Sequence, residues 1–381
     1  MSMIFGDYVA GFLGQTRHGQ SWHLKAFDPI RRDDGSAIGR GEGNHVSVEF
    51  NLIYRWHAVI SANDEKWIED SWAKILGTTD WNSVDQQHFL QAMKDPKNRP
   101  GPFPSEWKFG GLERRADGSF RDKDLARILQ SATSNPAKRF GARGTPGVMR
   151  PVEIISMNQA RQWGVGTMND FRKFLGLKPF KSFEEWNSDP DIANAARQLY
   201  KHIDRLELYP GIQAEQNLEI TCGSGFGCGY TLMRAILADA IALVRGDRFY
   251  TTDFTPANLT AWGYQDCQSN TENGAWGANL PKLLLRHLPD HYSYNSVLAM
   301  FPFFTPKAME GNLTSLGIVH KYDLSKPVTA PPIKVINTMQ AIRRVFDDNE
   351  NFEGLYSKYL NVRCLVSISA KILTTFIVSD S

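Results

Sequence analysis

Apolar residues along this chain recur mostly three or four positions apart, the spacing that places them on one face of an α-helix. Between Val46 and about Leu76 the pattern predicts two consecutive helices, the second beginning near Asn63. It predicts further helices over residues 122–133, 157–177, 189–203 and 231–245. Alternating β-branched residues, which indicate strands, are nearly absent outside residues 334–337. The predicted fold class is therefore mostly α.

The length and charge of the chain limit its number of domains and the partners it can bind. A chain of 381 residues can form one large domain or two ordinary ones. Its 43 Lys and Arg residues balance 41 Asp and Glu residues, without a long block of one sign. This balance argues against a nucleic-acid partner. The longest apolar stretch, from Tyr230 to Val244, is interrupted by Arg234 and Asp239 and is too short to cross a bilayer, so no transmembrane segment is expected.

The four cysteines form no CxxC pair and show no zinc-like spacing with histidine. This favours a reducing compartment, and we expect a cytoplasmic protein. The first residues lack the basic and apolar regions of a signal peptide, so we expect the chain to begin inside a domain that is incomplete at its N-terminus.

Tyr54 and His57 are the candidate functional residues. On one helix, positions three apart share a face, so both side chains could serve one site. A neutral imidazole can bind haem iron, and an oxidised haem can take an electron from a phenol to leave a tyrosyl radical. The spacing taken alone favours a buried histidine packed near a tyrosine.

The surrounding sequence supplies the context. Residues 48–57, Val-Glu-Phe-Asn-Leu-Ile-Tyr-Arg-Trp-His, closely resemble the motif helix of fungal linoleate diol synthases, also called psi-producing oxygenases. Their Tyr-Arg-Trp-His motif parallels the Tyr-x-Trp-His of cyclooxygenases. Further blocks resemble this family in the same order, over residues 6–14, 26–31, 168–180, 206–215 and 245–260.

The resemblance implies a fold and an activity. The family's first domain has the animal haem-peroxidase fold, similar to cyclooxygenase, and adds dioxygen to linoleic or another unsaturated C18 fatty acid to give a hydroperoxide. Haem b is the implied cofactor, with His57 as proximal iron ligand and Tyr54 as the radical-carrying catalytic residue. Calcium is bound in the family, but at a loop that has no counterpart in this chain. Homo-oligomers are a tendency of the family.

The same resemblance suggests a division of the chain. We expect residues 1–310 to form the C-terminal portion of the dioxygenase domain and residues 311–332, rich in Ser, Thr, Lys and Pro, to form a linker. Residues 333–360 resemble the start of the family's second, haem-thiolate domain, which is then truncated. Residues 361–381 are an atypical tail.

Three local features have more than one interpretation. Ser156 lies where animal haem peroxidases place the asparagine that hydrogen-bonds the proximal histidine, so the partner of His57 is left unassigned. The run from Cys222 to Gly229 resembles a phosphate loop but lacks its Lys-Ser/Thr pair, and a turn before a helix is the favoured interpretation. Arg245 to Arg248 could clamp a carboxylate or a haem propionate, although a helix end with an internal Asp-Arg pair is favoured.

The function inferred from these observations is haem-dependent dioxygenation of a fatty acid. Two alternatives stay open. One is an inactive, truncated remnant, and the other is a general haem peroxidase that uses small reductants, in which Tyr54 would only contribute packing.

Overall fold

The computed structural model describes residues 39–43, 47–98, 102–103, 105, 112–218, 227–268 and 279–326. Across these residues the regular structure is helical, and β-type pairing is limited to isolated bridges such as that between Thr167 and Glu207. The predicted mostly-α class is confirmed. The strand-like segment at 334–337, the segment 333–360 that resembles the start of a second domain, and the tail lie outside the described residues.

Fourteen α-helices are present in the described ranges. They are α1 Val48–Ile53, α2 Ala62–Leu76, α3 Gln86–Lys94, α4 Asp122–Ser134, α5 Arg150–Gln162, α6 Met168–Phe174, α7 Phe183–Trp186, α8 Pro190–Tyr200, α9 Leu208–Ala214, α10 Tyr230–Gly246, α11 Pro256–Asp266, α12 Asn279–His287, α13 Val297–Met300 and α14 Pro306–Ser315. Short 3-10 turns follow several of them, including His57–Val59 after α1 and Ile203–Arg205 after α8.

Helices α4, α8 and α10 match the predicted segments closely, because their ends carry recognisable signals. Asp189 caps α8 by accepting hydrogen bonds from two backbone amides of its first turn, and Pro190 occupies the first helical position. None of the helices that the structure describes is both long and apolar enough to span a membrane.

Two predicted helical segments end or break earlier than expected. The helix expected over 157–177 is two helices, α5 and α6, separated by Gly164 at a φ of 67° and restarted by a capping box between Thr167 and Asp170. The first helix predicted after Val46 ends already at Ile53. The second begins at Ala62, where Ser61 and Asp64 form a capping box.

The largest apolar core lies where α1 meets α6, α8, α9 and α10. It includes the fully buried side chains of Ile53, Met168, Leu208, Ile212 and Leu232. Burial of a large aliphatic side chain stabilises the fold by about 1.5–3 kcal/mol. This core fixes α1, and with it the start of the Tyr54 to His57 segment, against the rest of the molecule.

A second core joins α4 to α12, α13 and α14 and extends past residue 311. Leu313, Ile318 and Tyr322 are buried in it, and α14 itself runs to Ser315. The first part of the expected linker, up to Lys326, is thus folded against the preceding helices. The remainder lies outside the described residues, and the division into domains stays a prediction.

Candidate functional site

Tyr54 lies at the C-terminal end of α1 and not inside a helix. Ser47 begins α1 by accepting a hydrogen bond from the Phe50 amide, at 3.1 Å. Tyr54 caps the other end with φ −89° and ψ 14°. Its ring packs on Phe50, with centroids 4.2 Å apart, and stacks on Trp56 at 5.6 Å. The expectation that Tyr54 and His57 share a helix face was therefore wrong; a turn separates them.

That turn is held by side chains that satisfy backbone carbonyls. The Trp56 indole N–H donates to the Ile53 carbonyl at 3.1 Å, and the Gln213 amide donates to the Arg55 carbonyl, also at 3.1 Å. The last carbonyls of a helix lack intrahelical partners, so such donors stabilise its end. Because Gln213 lies on α9, this contact ties the turn to a second element.

His57 opens the 3-10 turn that follows, and its imidazole faces α5. The distance from His57 Nδ1 to Glu153 Oε1 is 2.8 Å, and the side chains are 23% and 17% exposed respectively. The other oxygen of Glu153 accepts the Tyr209 hydroxyl at 2.7 Å. The result is a chain of three side chains, which we call the His57–Glu153–Tyr209 relay.

Burial and charge both act on the far end of this relay. Tyr209 lies on α9 and is only 2% exposed. Burial raises the pKa of its phenol well above the ordinary range, and the adjacent Glu153 carboxylate raises it further. The Tyr209 phenol is thereby kept protonated, as its hydrogen bond to Glu153 requires.

Glu153 occupies the first turn of α5, a position where a carboxylate interacts favourably with the helix dipole. Ser156 is buried on the same helix, one turn later. The contact to the histidine thus comes from Glu153, three residues before the place that the resemblance indicated.

Sequence reasoning missed Glu153 and Tyr209, and it gave no role to Arg55 and Trp56. Glu153 lies 96 residues from His57 along the chain, so no local spacing could reveal the contact. Arg55 and Trp56 stood inside the motif itself, which was the available signal. The Arg55 guanidinium hydrogen-bonds Asn51 at 2.7 Å and lies over the rings of Trp163 and Tyr209.

The N-terminus of α10 is already occupied by a carboxylate. Glu215 accepts a hydrogen bond from the Thr231 amide at 3.0 Å, and a side chain at Gly229 would clash with it. An anion held there is the usual use of a helix N-terminus. This supports a turn leading into a helix over a phosphate loop, although residues 219–226 lie outside the described part of the chain.

The segment from Arg245 to Arg248 ends a helix, as favoured, because α10 stops at Gly246 and Asp247 caps it. The expected pairing inside the segment was wrong. Arg248 pairs with Asp253 at 2.9 Å, while Asp247 accepts the Tyr250 amide.

Part of the chain matches the model of a known protein family. Residues 143–274 match the model of the animal haem peroxidase family. This range contains Glu153 and Tyr209 but begins after Tyr54 and His57. The implied cofactor of this class is haem.

The chain is also similar in sequence to fungal fatty-acid oxygenases. The chain is 40% identical to psi-producing oxygenase A of Aspergillus fumigatus over 93% of its own length and 33% of the relative's. It is 39% identical to linoleate diol synthase of Gaeumannomyces graminis, over 93% of this chain and 30% of that protein. The resemblance inferred from the sequence blocks is confirmed, and the chain spans about a third of the length of these relatives.

Among solved structures, fatty acid alpha-dioxygenase of Oryza sativa is similar at 20% identity, with a TM-score of 0.41. That likeness covers 67% of this chain and 40% of the plant enzyme. Such a score is too low to support a structural argument.

Among the residues the structure describes, no group of three or more His, Cys, Asp or Glu side chains could hold a metal ion.

Proposed function

We propose that this chain forms the proximal side of the haem site in a fatty-acid dioxygenase, with His57 as iron ligand and Tyr54 as catalytic residue. One observation carries the proposal. In a chain about 40% identical to psi-producing oxygenase A, the imidazole of the motif histidine is oriented by a carboxylate through Nδ1. Histidines that bind metals are typically oriented in this way by their second nitrogen.

The donor set fits haem. With Nδ1 engaged by Glu153, the nitrogen left to bind iron is Nε2, and the described part of the chain offers it no hydrogen-bond partner. The imidazole is 23% exposed, so a planar cofactor can approach it. When bound, haem supplies the oxidising power that removes an electron from a phenol.

The exposure of Tyr54 supports its proposed role as the radical-carrying residue. It is 39% exposed, between the rings of Phe50 and Trp56. The Tyr54 phenol would give one electron to oxidised haem and its proton to solvent. The resulting phenoxyl then takes a hydrogen atom from an allylic carbon of the substrate, which restores the Tyr54 hydroxyl.

The substrate we propose is an unsaturated C18 fatty acid of the linoleate type, consistent with relatives named linoleate diol synthase and linoleate 10R-lipoxygenase. Dioxygen adds to the carbon radical left by Tyr54. The peroxyl radical then takes a hydrogen atom from the Tyr54 hydroxyl, giving the hydroperoxide and the phenoxyl again. The net reaction joins one fatty acid and one dioxygen.

The domain division is proposed on the same basis. Residues 1–310 belong to the dioxygenase domain, and residues from about 333 begin a second, haem-thiolate domain. The burial of Leu313, Ile318 and Tyr322 in the second core supports extending this domain past residue 310, into the segment expected to be a linker.

Titration of the purified chain with hemin tests the proposal, followed by absorption near the Soret band. We expect a saturable Soret shift that His57→Ala abolishes. His88→Ala is the matched control, since His88 is an exposed histidine on α3, and it should leave the shift unchanged. A shift that survives His57→Ala would overturn the ligand assignment.

Oxygen uptake separates the proposed reaction from its alternatives. With linoleate, we expect uptake that Tyr54→Phe abolishes while the Soret band is retained. Oxidation of guaiacol without uptake of oxygen on linoleate would indicate a general peroxidase. Absence of both, in protein that binds hemin, would indicate an inactive remnant.

A further inference from the structure

The group that faces His57 is a carboxylate. Its negative charge can change the electronic properties of the imidazole as well as its orientation. The resemblance pointed to a neutral asparagine at this place, whereas the structure has the Glu153 carboxylate at 2.8 Å from Nδ1. A carboxylate accepts a stronger hydrogen bond than an amide and raises the basicity of the ligand it holds. The donating imidazole therefore gains anionic character.

Glu153 pairs with His57 and not with the basic side chain of an arginine or lysine. Within the described part of the chain, no arginine or lysine lies within salt-bridge distance of it, and its contacts are His57 and Tyr209. The Tyr209 hydroxyl donates to the other carboxylate oxygen and therefore shares the charge with His57. The strength of the bond to His57 therefore depends on whether Tyr209 also donates.

The relay is held rigidly. Glu153 lies on α5 and Tyr209 on α9, which pack on each other and on α1. The Gln213 contact to the Arg55 carbonyl fixes the backbone two residues before His57 to the same helix α9. Rotation of the imidazole would break the bond to Glu153, so this frame fixes the direction in which Nε2 points.

We infer that Glu153 is a positioning residue that holds His57 as the Nδ1–H tautomer and makes it an electron-rich iron ligand, and that Tyr209 limits this effect. The inference deepens the proposed function and rests on His57 binding haem. An electron-rich ligand stabilises ferric over ferrous iron. Replacing the two partners should accordingly shift the iron reduction potential in opposite directions.

The first test needs no haem. Nitrogen-15 NMR of the apoprotein, labelled at histidine and kept at mildly alkaline pH, reports which imidazole nitrogen of His57 carries hydrogen. We expect Nδ1–H in the native protein and a mixture of tautomers in Glu153→Leu. The Nε2–H tautomer in the native protein would overturn the inference, whatever the protein does with haem.

The second test uses the hemin complex of three variants. Glu153→Gln keeps an acceptor but removes the charge, so we expect about tenfold weaker hemin binding and a higher reduction potential. A tenfold change in the ratio of ferric to ferrous affinity is about 59 mV for one electron. Tyr209→Phe leaves the charge to His57 alone, so its potential should fall below that of the native protein.

Glu207→Gln is the matched control. Glu207 also accepts a tyrosine hydroxyl, from Tyr200 at 3.0 Å, but pairs with Arg161 and not with a histidine. Its potential and hemin affinity should equal those of the native protein. Shifts of the same sign in Glu153→Gln and Tyr209→Phe, or an equal shift in Glu207→Gln, would mean general loosening of the fold and would overturn the inference.

The two failures are distinguishable. If the native apoprotein shows the Nδ1–H tautomer but binds no hemin, the proposed function fails while the positioning by Glu153 stands. If hemin binds through His57 and all three variants keep the native potential, the proposed function stands and the tuning by Glu153 fails.

Discussion

Two glutamate-tyrosine pairs lie near each other in this fold and differ in their third partner. Glu153 accepts the Tyr209 hydroxyl and faces His57, while Glu207 accepts the Tyr200 hydroxyl and faces Arg161. Both carboxylates are largely covered, at 17% and 27% exposure. The two carboxylates therefore differ mainly in their third partner, which is a histidine for Glu153 and an arginine for Glu207.

The electrostatic consequences differ accordingly. The Arg161 hydrogen bonds hold the pKa of Glu207 below its usual range, even though burial opposes this, and that charge is neutralised locally. Glu153 instead faces the imidazole of His57, at 2.8 Å from Nδ1. The same residue type in similar packing thus contacts a histidine in one place and forms an ion pair with an arginine in the other.

The largest effect is expected where an arginine-paired carboxylate is fully buried. Arg172 contacts Glu215 and Thr231 and stacks on Phe180. We expect Arg172→Met to lower the free energy of unfolding by about 3–5 kcal/mol in urea titrations, because it leaves a buried carboxylate without its cation. Arg161→Met, on the partly exposed Glu207, is the control, with an expected loss below about 1 kcal/mol. Equal losses would show that burial does not govern these pairs.

The next effect comes from a buried carboxylate that lies near a second acidic side chain. Burial, and then repulsion by Glu49 across the contact between α1 and α10, raises the pKa of Asp239 from 3.8 to about 7. The folded state then holds this proton more tightly than the unfolded state, so stability falls as pH rises between these two values.

Asp239→Asn should remove that dependence and raise the free energy of unfolding by about 2 kcal/mol at pH 8, with little change at pH 4. Urea titrations over this range measure it. Glu49→Gln should give part of the gain, since it removes the repulsion but not the burial. A native protein whose stability is flat over this range would contradict the prediction.

The smallest effect compares the two tyrosines directly. Tyr209→Phe removes a donor from Glu153, which also contacts His57. We expect a loss of about 1 kcal/mol in the free energy of unfolding. Tyr200→Phe leaves Glu207 with Arg161, so its loss should be below about 0.5 kcal/mol. Thermal unfolding of both variants side by side measures the difference, and the reverse order would contradict the comparison.

Much of the fold could be predicted from local sequence, because helix formation depends on residues within a few positions of each other. Asp189 followed by Pro190 placed the start of α8, and the apolar spacing from Tyr230 placed α10. The prediction of helix ends failed where the apolar spacing continues past the point at which the helix stops. The apolar residues that continue past Ile53 hide the end of α1, where the Trp56 indole satisfies a carbonyl that a longer helix would have used.

The sequence by itself determined the helical class and named Tyr54 and His57 as candidates, because both follow from patterns within one short segment. The tertiary structure alone decided what faces the imidazole. Glu153 is 96 residues away, and Tyr209 is 56 residues beyond Glu153. Their meeting depends on how α5 and α9 pack against α1, and packing between distant segments leaves no trace in local spacing.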